Sequence, residues 1–385
     1  MRVVFTCVPQ TGHILPLLPL AEAFASRGDQ VTFASGPDAR PAVTSRGLEF
    51  QAAGPGFDAW FGQLRARTRG TPGDGLQPAR VEMYFIPRLF AEIGTALMVD
   101  DLLNLCRRLR PDLVVFDPYA FAGPLVAALS GARPVLHTIN LLGAPEVLDL
   151  AADAVSPIWR EFGLDVPASA GLFSGPTVTI CPRSLDRAAA GLAGALPMRP
   201  VPAPLADPPA LPGWPEGPDR PLVYLTLGTF SNNAVDVFRL VLEALAEEPV
   251  NVLATVGADG DAGRLEPVPA NARVERFVPQ AELLPHCSAV VHHGGAGTTF
   301  GVLAHGLPAL VLPQSADNFF IAQRLAGAGV ARALMPEEVT AEAVHREARM
   351  VLQEPEYGRR ARLLAREIAG MPSPEEVAAA LAAQA

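Results

Sequence analysis

Lysine is missing from this chain, and all 30 of its basic side chains are arginine. That absence excludes Schiff-base enzymes, P-loop NTPases and protein kinases, each of which needs a lysine. Cysteine is scarce as well. Its four copies, Cys7, Cys106, Cys181 and Cys287, form no Cys-x-x-Cys and no His/Cys group at zinc spacing, so they read as small buried hydrophobes of a reduced compartment. Positive charge is in deficit, with a formal net charge of −10, and the electrostatic footprint of a nucleic-acid or membrane-surface binder is lacking. A long unbroken apolar run is also absent. Residues 3–21 carry no charged side chain, but Pro9, Gln10, Thr11, Gly12, His13, Pro16 and Pro19 interrupt them. Neither a signal peptide nor a membrane span is expected there, and the expected location is the cytoplasm.

The remaining composition is that of a packed enzyme: 385 residues, 49% hydrophobic and 18% charged, enough for two domains of similar size. The most informative stretch is Val290 to Asn318, VVHHGGAGTTFGVLAHGLPALVLPQSADN. A strand over Ala289–Val291 runs into a Gly-Gly-Ala-Gly-Thr-Thr turn, and a helical pattern follows to about His305. The unpartnered N–H groups of a helix's first turn, together with its dipole, attract an anion such as phosphate. His293 and Thr298 add donors at the same mouth. A second strand, Ala309–Leu312, stops at Pro313, and Gln314, Ser315, Asp317 and Asn318 follow it. In an open α/β sheet both loops leave from the carboxyl edge, where ligands bind.

The N-terminal part opens in the same style. Arg2–Val8 reads as a buried strand, Pro9-Gln10-Thr11-Gly12-His13 as a loop, Leu15–Ser26 as a helix and Gln30–Ala34 as a strand. The turn lacks G-x-G-x-x-G, so this βαβ unit offers no evident dinucleotide cradle. From Pro55 to Leu89 the alternation fails while Phe57, Trp60, Phe61, Met83, Tyr84 and Phe85 accumulate. These aromatics read either as a surface segment folded onto the core or as an apolar wall for a large ligand. A helix over Leu102–Leu109, a strand over Asp112–Phe116 ending at Asp117, and a strand over Val135–Ile139 leading to Asn140 and Leu141 come next. A second irregular aromatic region holds Trp159, Phe162 and Phe173.

Residues 197–221 contain ten prolines, an extended linker. The expected division is therefore an N-terminal domain over 1–203, a linker over 204–219, a C-terminal domain over 220–371 and a final helix over 372–385 packing at the inter-domain surface. Strands at Leu222–Leu227, Asn251–Val256 and Val274–Phe277, with a tight turn at Gly228-Thr229, build the second parallel sheet.

The runs F-V-P-Q-A-E-L-L-P-H, V-V-H-H-G-G-A-G-T-T and P-Q-S-A-D-N resemble the donor-binding signature of inverting glycosyltransferases of the GT-B fold, family 1 type. With T-G-H-I-L-P-L, L-T-L-G-T and E-I-A-G-M-P-S-P-E-E the resemblance covers nearly the whole chain, and it is greatest to the actinomycete natural-product enzymes of the calicheamicin type. It implies an α/β architecture of two Rossmann-like parallel-sheet domains facing across a cleft. In such an enzyme Phe277 would stack on the nucleotide base, while the Val278 backbone and Gln280 hold its edge and the ribose. His293, Gly295, Gly297 and Thr298, with Gly228 and Thr229, would hold the diphosphate, and Asp317 and Asn318 would face the sugar. Many relatives carry tryptophan in place of Phe277 and Asp-Gln in place of Asp317-Asn318. The shorter amide points away from UDP-glucose and towards a deoxysugar on thymidine diphosphate.

The implied activity is metal-independent, inverting transfer of that sugar to a hydroxyl of an apolar natural-product aglycone in antibiotic biosynthesis. No cofactor is needed beyond the nucleotide sugar, and a homodimer is compatible with the sequence. Phe57, Trp60, Phe61, Tyr84, Phe85 and Leu141 are the candidate acceptor residues. His13 is the candidate general base and Asp117 its orienter, because imidazole is largely neutral near neutral pH yet accepts a proton. Taken alone, His13 reads more often as a loop histidine capping a carbonyl than as a catalytic residue. His292 reads as structural, His286, His305 and His345 as packing or surface residues, and His137 is left undecided. Asp259-Gly260-Asp261 spells D-x-D but sits in a Gly-rich turn and reads as a solvated loop. A nucleotide-sugar epimerase and a silent nucleotide-binding partner are the competing readings.

Overall fold

The computed structural model describes every residue except 69, 71, 74–75, 77, 202–210, 214–218, 229–233, 258–259, 315–316 and 385, and the side chains of 78 and 79. Two units result: Met1–Val201 with Met371–Ala385, and Pro202–Gly370. Most of the expected linker, 204–219, lies outside the described residues.

The first unit is built on a seven-stranded sheet of β1 (Arg2–Thr6), β2 (Gln30–Ser35), β3 (Glu49–Ala52), β4 (Leu113–Phe116), β5 (Arg133–His137), β6 (Thr177–Thr179) and β7 (Ala195–Pro197). The order is β3-β2-β1-β4-β5-β6-β7 and the pairings are parallel. The second unit has six strands: β8 (Leu222–Thr226), β9 (Asn251–Thr255), β10 (Ala272–Glu275), β11 (Ala289–His292), β12 (Ala309–Val311) and β13 (Ala331–Ala333). Their order is β10-β9-β8-β11-β12-β13, again parallel. Helices cover a parallel sheet on both faces, which is why central strands such as Leu113–Phe116 and Leu222–Thr226 are apolar and buried along their length. Each unit has its own buried hydrophobic cluster.

Strand order reverses between β1 and β4 in the first unit and between β8 and β11 in the second. At such a switch point the neighbouring loops leave in opposite directions and open a crevice at the carboxyl edge. His13 and Asp117 follow β1 and β4, whereas Gly228 and His293 follow β8 and β11.

Several local expectations are corrected. The first helix runs Thr11–Ser26, straight through Pro16 and Pro19, so His13 lies in its first turn and not in a loop. Proline removes a helical hydrogen bond, but here Leu17, Leu18, Leu20, Ala21 and Phe24 bury one side of the helix and hold it. The segment expected to be irregular, Pro55 to Leu89, is largely helical: Phe57–Arg67, Pro78–Phe85 and a π-helical stretch Ile86–Gly94, which runs on into helix Thr95–Leu109, whose second half was expected. In the second aromatic region Trp159 is buried at the end of helix Pro145–Glu161, while Phe162 and Phe173 lie beyond it in largely irregular chain, as expected. Tertiary burial overrides the poor local signal in the first of these regions.

The final helix, Pro374–Ala382, belongs to the first unit and packs on helix Thr11–Ser26. A capping box starts it, with the Ser373 N–H donating to Glu376 at 2.7 Å and the Glu376 N–H donating back to the Ser373 hydroxyl at 3.3 Å. Arg133 ties down its end by donating to the Gln384 carbonyl at 2.6 Å. Among the described residues no helix is long and apolar enough to cross a membrane.

Candidate active site

In the first unit the Asp117 carboxylate is fully buried at the end of β4. Its Oδ2 accepts the Val8 N–H at 2.8 Å and its Oδ1 accepts the Tyr119 N–H at 2.7 Å, so two backbone donors fix its orientation. His13 Nδ1 lies 3.3 Å from Oδ1, off the hydrogen-bond line. Base–orienter contacts in ligand-free sites are often loose in this way and tighten with substrate. With the proton of Nδ1 towards the carboxylate, Nε2 is the nitrogen left to accept one. The next residue back, Gly12, is exposed, with open space where a Cβ would stand.

A chain of rings leads away from the imidazole. Phe90 stacks on His13 at 6.1 Å, Phe57 on Phe90 at 6.2 Å, Phe61 meets Phe57 at 5.3 Å and Phe85 meets Phe61 at 6.1 Å, with Tyr84 beside Phe85. Phe57, Phe61, Tyr84 and Phe85 are half-buried and so present ring surface. Two of the named acceptor candidates are placed differently: Trp60 and Leu141 are buried in the core. Trp60 lies under the wall against Gly94, where any side chain would strike its ring, and so supports the surface without forming it. Phe90 and Tyr119 were missed by sequence reasoning. The one signal for Phe90 was its place at the end of the aromatic-bearing stretch. His137 is wholly buried, its Nδ1 donating to the Thr138 carbonyl at 2.8 Å, and burial holds its pKa down at about 4.

In the second unit the loop after β11 turns at Gly294, whose φ of +90° suits glycine, and enters helix Ala296–Ala304 with no side-chain cap. The N–H groups of that first turn remain open to an anion. At Gly297 there is open space where a Cβ would stand. His293 fits between Gly228 and Gly295, both of which must lack a Cβ for the ring to fit. Burial drives the His293 pKa down to about 4, so at neutral pH the ring is an uncharged donor. His292 is wholly buried, with its pKa lowered to about 3 chiefly by burial, and its Nδ1 accepts the Gly294 N–H at 3.0 Å.

Gln280 joins the neighbouring parts, its Nε2 donating to the Thr298 hydroxyl at 3.1 Å and lying 3.5 Å from the Tyr224 hydroxyl. Just before it, Val278 is buried and Phe277 is 56% exposed. Asn318 begins helix Asn318–Gly327 and donates to Asp317 Oδ1 at 3.4 Å. Its backbone carbonyl lies close to Gly294, so the loops after β11 and β12 meet. Thr229, Ser315 and Asp259 lie outside the described residues. Asp261 of the D-x-D caps a short helical turn by accepting the Gly263 N–H at 3.0 Å. Among the described residues no group of three or more His, Cys, Asp or Glu is placed to hold a metal ion.

Comparison with known proteins decides the family. The C-terminal and N-terminal domain models of erythromycin biosynthesis protein CIII-like proteins match residues 239–384 and 75–228. An L-demethylnoviosyl transferase of Streptomyces niveus is 31% identical over 100% of this chain and 98% of its own length. The chain belongs to this glycosyltransferase family. Another member, the aclacinomycin-T 2-deoxy-L-fucose transferase of Streptomyces galilaeus, is 30% identical over 98% of this chain and 94% of its own. Among solved structures the glycosyltransferase VinC in complex with DTDP matches with a TM-score of 0.79 and 27% identity, covering 100% of this chain and 99% of that one. The protein is thus a GT-B glycosyltransferase, with the two parallel-sheet domains expected of that fold.

Proposed function

We propose that this glycosyltransferase moves a deoxysugar from a thymidine-diphosphate donor to a hydroxyl of a flat, apolar aglycone, with inversion at the anomeric carbon. The observation that carries the reading is the apposition of His13 and Asp117 at the switch point of the first sheet, with an aromatic surface leading from the imidazole. The acceptor hydroxyl gives its proton to His13 Nε2 as its oxygen attacks the anomeric carbon. The bond from that carbon to the diphosphate breaks, and the leaving group keeps the electron pair. Asp117 orients the imidazole and stabilises the imidazolium, the logic of a hydrolase triad. In the second unit the first turn of helix Ala296–Ala304 and the uncharged His293 take up the charge developing on the diphosphate. Phe277 offers its exposed face to the base, and Asp317 and Asn318 meet the sugar. The DTDP held by VinC and the 2-deoxy-L-fucose transferred by the Streptomyces galilaeus relative support the donor class.

A mass-spectrometric screen of TDP-deoxysugars and UDP-glucose against aromatic polyketide aglycones and small polar alcohols tests the reading. A product carrying a deoxysugar on a flat aglycone, with inverted anomeric configuration by NMR, is expected. Turnover only with UDP-glucose and small polar acceptors, or isomerisation of the donor without transfer, would overturn it.

A further inference from the structure

The ring of Phe90 occupies a position that neither the fold nor the family motifs account for. It stacks on the His13 imidazole with 26° between the planes and on Phe57 with 27°, so three rings lie nearly parallel in sequence. On another side it meets Tyr119 at 5.4 Å, and Tyr119 in turn sets its ring edge on against His13 at 5.4 Å. The imidazole is therefore gripped by two aromatic rings. One of these, Tyr119, also holds the carboxylate partner through its backbone N–H.

The backbone carrying Phe90 is itself unusual. Ile86–Gly94 is π-helical and contains Pro87. Such widened turns are rare and occur frequently at functional sites. Leu89, Ala91 and Ile93 are buried around Phe90, and Gly94 has the Trp60 ring directly against it. The segment is locked on its inner side while Phe90, half-buried, is left facing the base.

We propose that Phe90 is a positioning residue, whose ring holds the His13 imidazole in the orientation that aims Nε2 along the aromatic surface and so sets the base in register with a flat acceptor. The proposal rests on the reading of His13 as the general base. Phe90 needs no contact with the reacting atoms, because it acts through the imidazole. Aliphatic bulk in its place fills the same volume but cannot stack, and the imidazole then gains rotational freedom. Misplacing a catalytic group by about 1 Å can cost up to about 10²-fold in rate.

The test uses full-length protein labelled with ¹⁵N-histidine, with the His13 signals assigned by their loss in His13→Gln. Wild type should show one ordered His13 ring with its proton on Nδ1. Phe90→Leu and Phe90→Ala should broaden or shift those signals, and Phe90→Tyr should restore them. With TDP-rhamnose as donor and alizarin as a flat acceptor, Phe90→Leu should lower kcat by more than it raises KM, leaving the Kd for TDP unchanged. His13 signals in Phe90→Leu identical to those of wild type would overturn the proposal whether or not alizarin is glycosylated. If His13→Gln turns over at the wild-type rate, the assignment of the base fails instead, and the spectra still judge the clamp.

Discussion

Gly295 stands so close to His293 that a Cβ on it would lie 2.3 Å from the ring Nε2. Its backbone φ of −61° suits any residue, so the demand for glycine is purely steric. Gly295→Ala should fold normally but displace the imidazole from the first turn of helix Ala296–Ala304. Losing one charge-assisted hydrogen bond to the diphosphate, worth about 1.5–3 kcal/mol, should weaken TDP binding roughly 10- to 100-fold. Isothermal titration with TDP measures this, and unchanged affinity would remove His293 from the diphosphate site.

Phe277 is more than half exposed, so removing it should leave the melting temperature nearly unchanged. Stacking of an aromatic on a nucleobase is worth about 1–3 kcal/mol. Phe277→Ala should raise the Kd for TDP correspondingly while Phe277→Trp preserves it. A variant that loses stability but not affinity would show the ring to be structural.

His13→Ala should lower kcat by roughly 10²- to 10⁴-fold, the usual contribution of a positioned base. Its Kd for TDP should barely change, since the residues proposed to hold the nucleotide are on the second unit. Asp117→Asn should cost as much if control of the tautomer dominates and less otherwise. Normal turnover in His13→Ala, or loss of nucleotide binding in place of chemistry, would assign the base elsewhere.

Activity should survive EDTA if, as proposed, the first turn of helix Ala296–Ala304 and the uncharged His293 stabilise the departing diphosphate, and no metal cluster stands among the described residues. Loss of turnover in EDTA with recovery in magnesium or manganese is the contrary result.

Stability should fall on acidification earlier than carboxylate titration alone would cause. His137, His292 and His293 are held at about 4, 3 and 4, mainly by burial. The unfolded chain takes up these protons near the ordinary histidine value of about 6.5, whereas the folded chain does not until far lower pH. Their contribution is therefore complete above about pH 6.5 and declines as pH falls towards 4, each imidazole costing about 2 kcal/mol by pH 5. Urea melts at pH 7.5 and pH 5 measure it, and equal midpoints would show these rings to be protonated in the fold.

Local sequence was enough to locate the loops after β1, β4, β8 and β11, because glycines, prolines and histidines at strand ends are written by turn chemistry within a few residues. The parallel-sheet class was legible for the same reason: short β-branched runs alternate with helical patterns. What only the tertiary structure decided is which side chains face one another. Helix Phe57–Arg67 and the helical stretch Pro78–Gly94 have poor local signals and exist because their aromatics bury against a core made elsewhere. The same packing put Trp60 beneath the wall, took His137 out of contention, brought the final helix back onto Thr11–Ser26, and set Phe90 on His13. Turn geometry depends on neighbours in the chain, whereas ring contacts depend on volumes filled by residues far apart in it, and no local pattern records those.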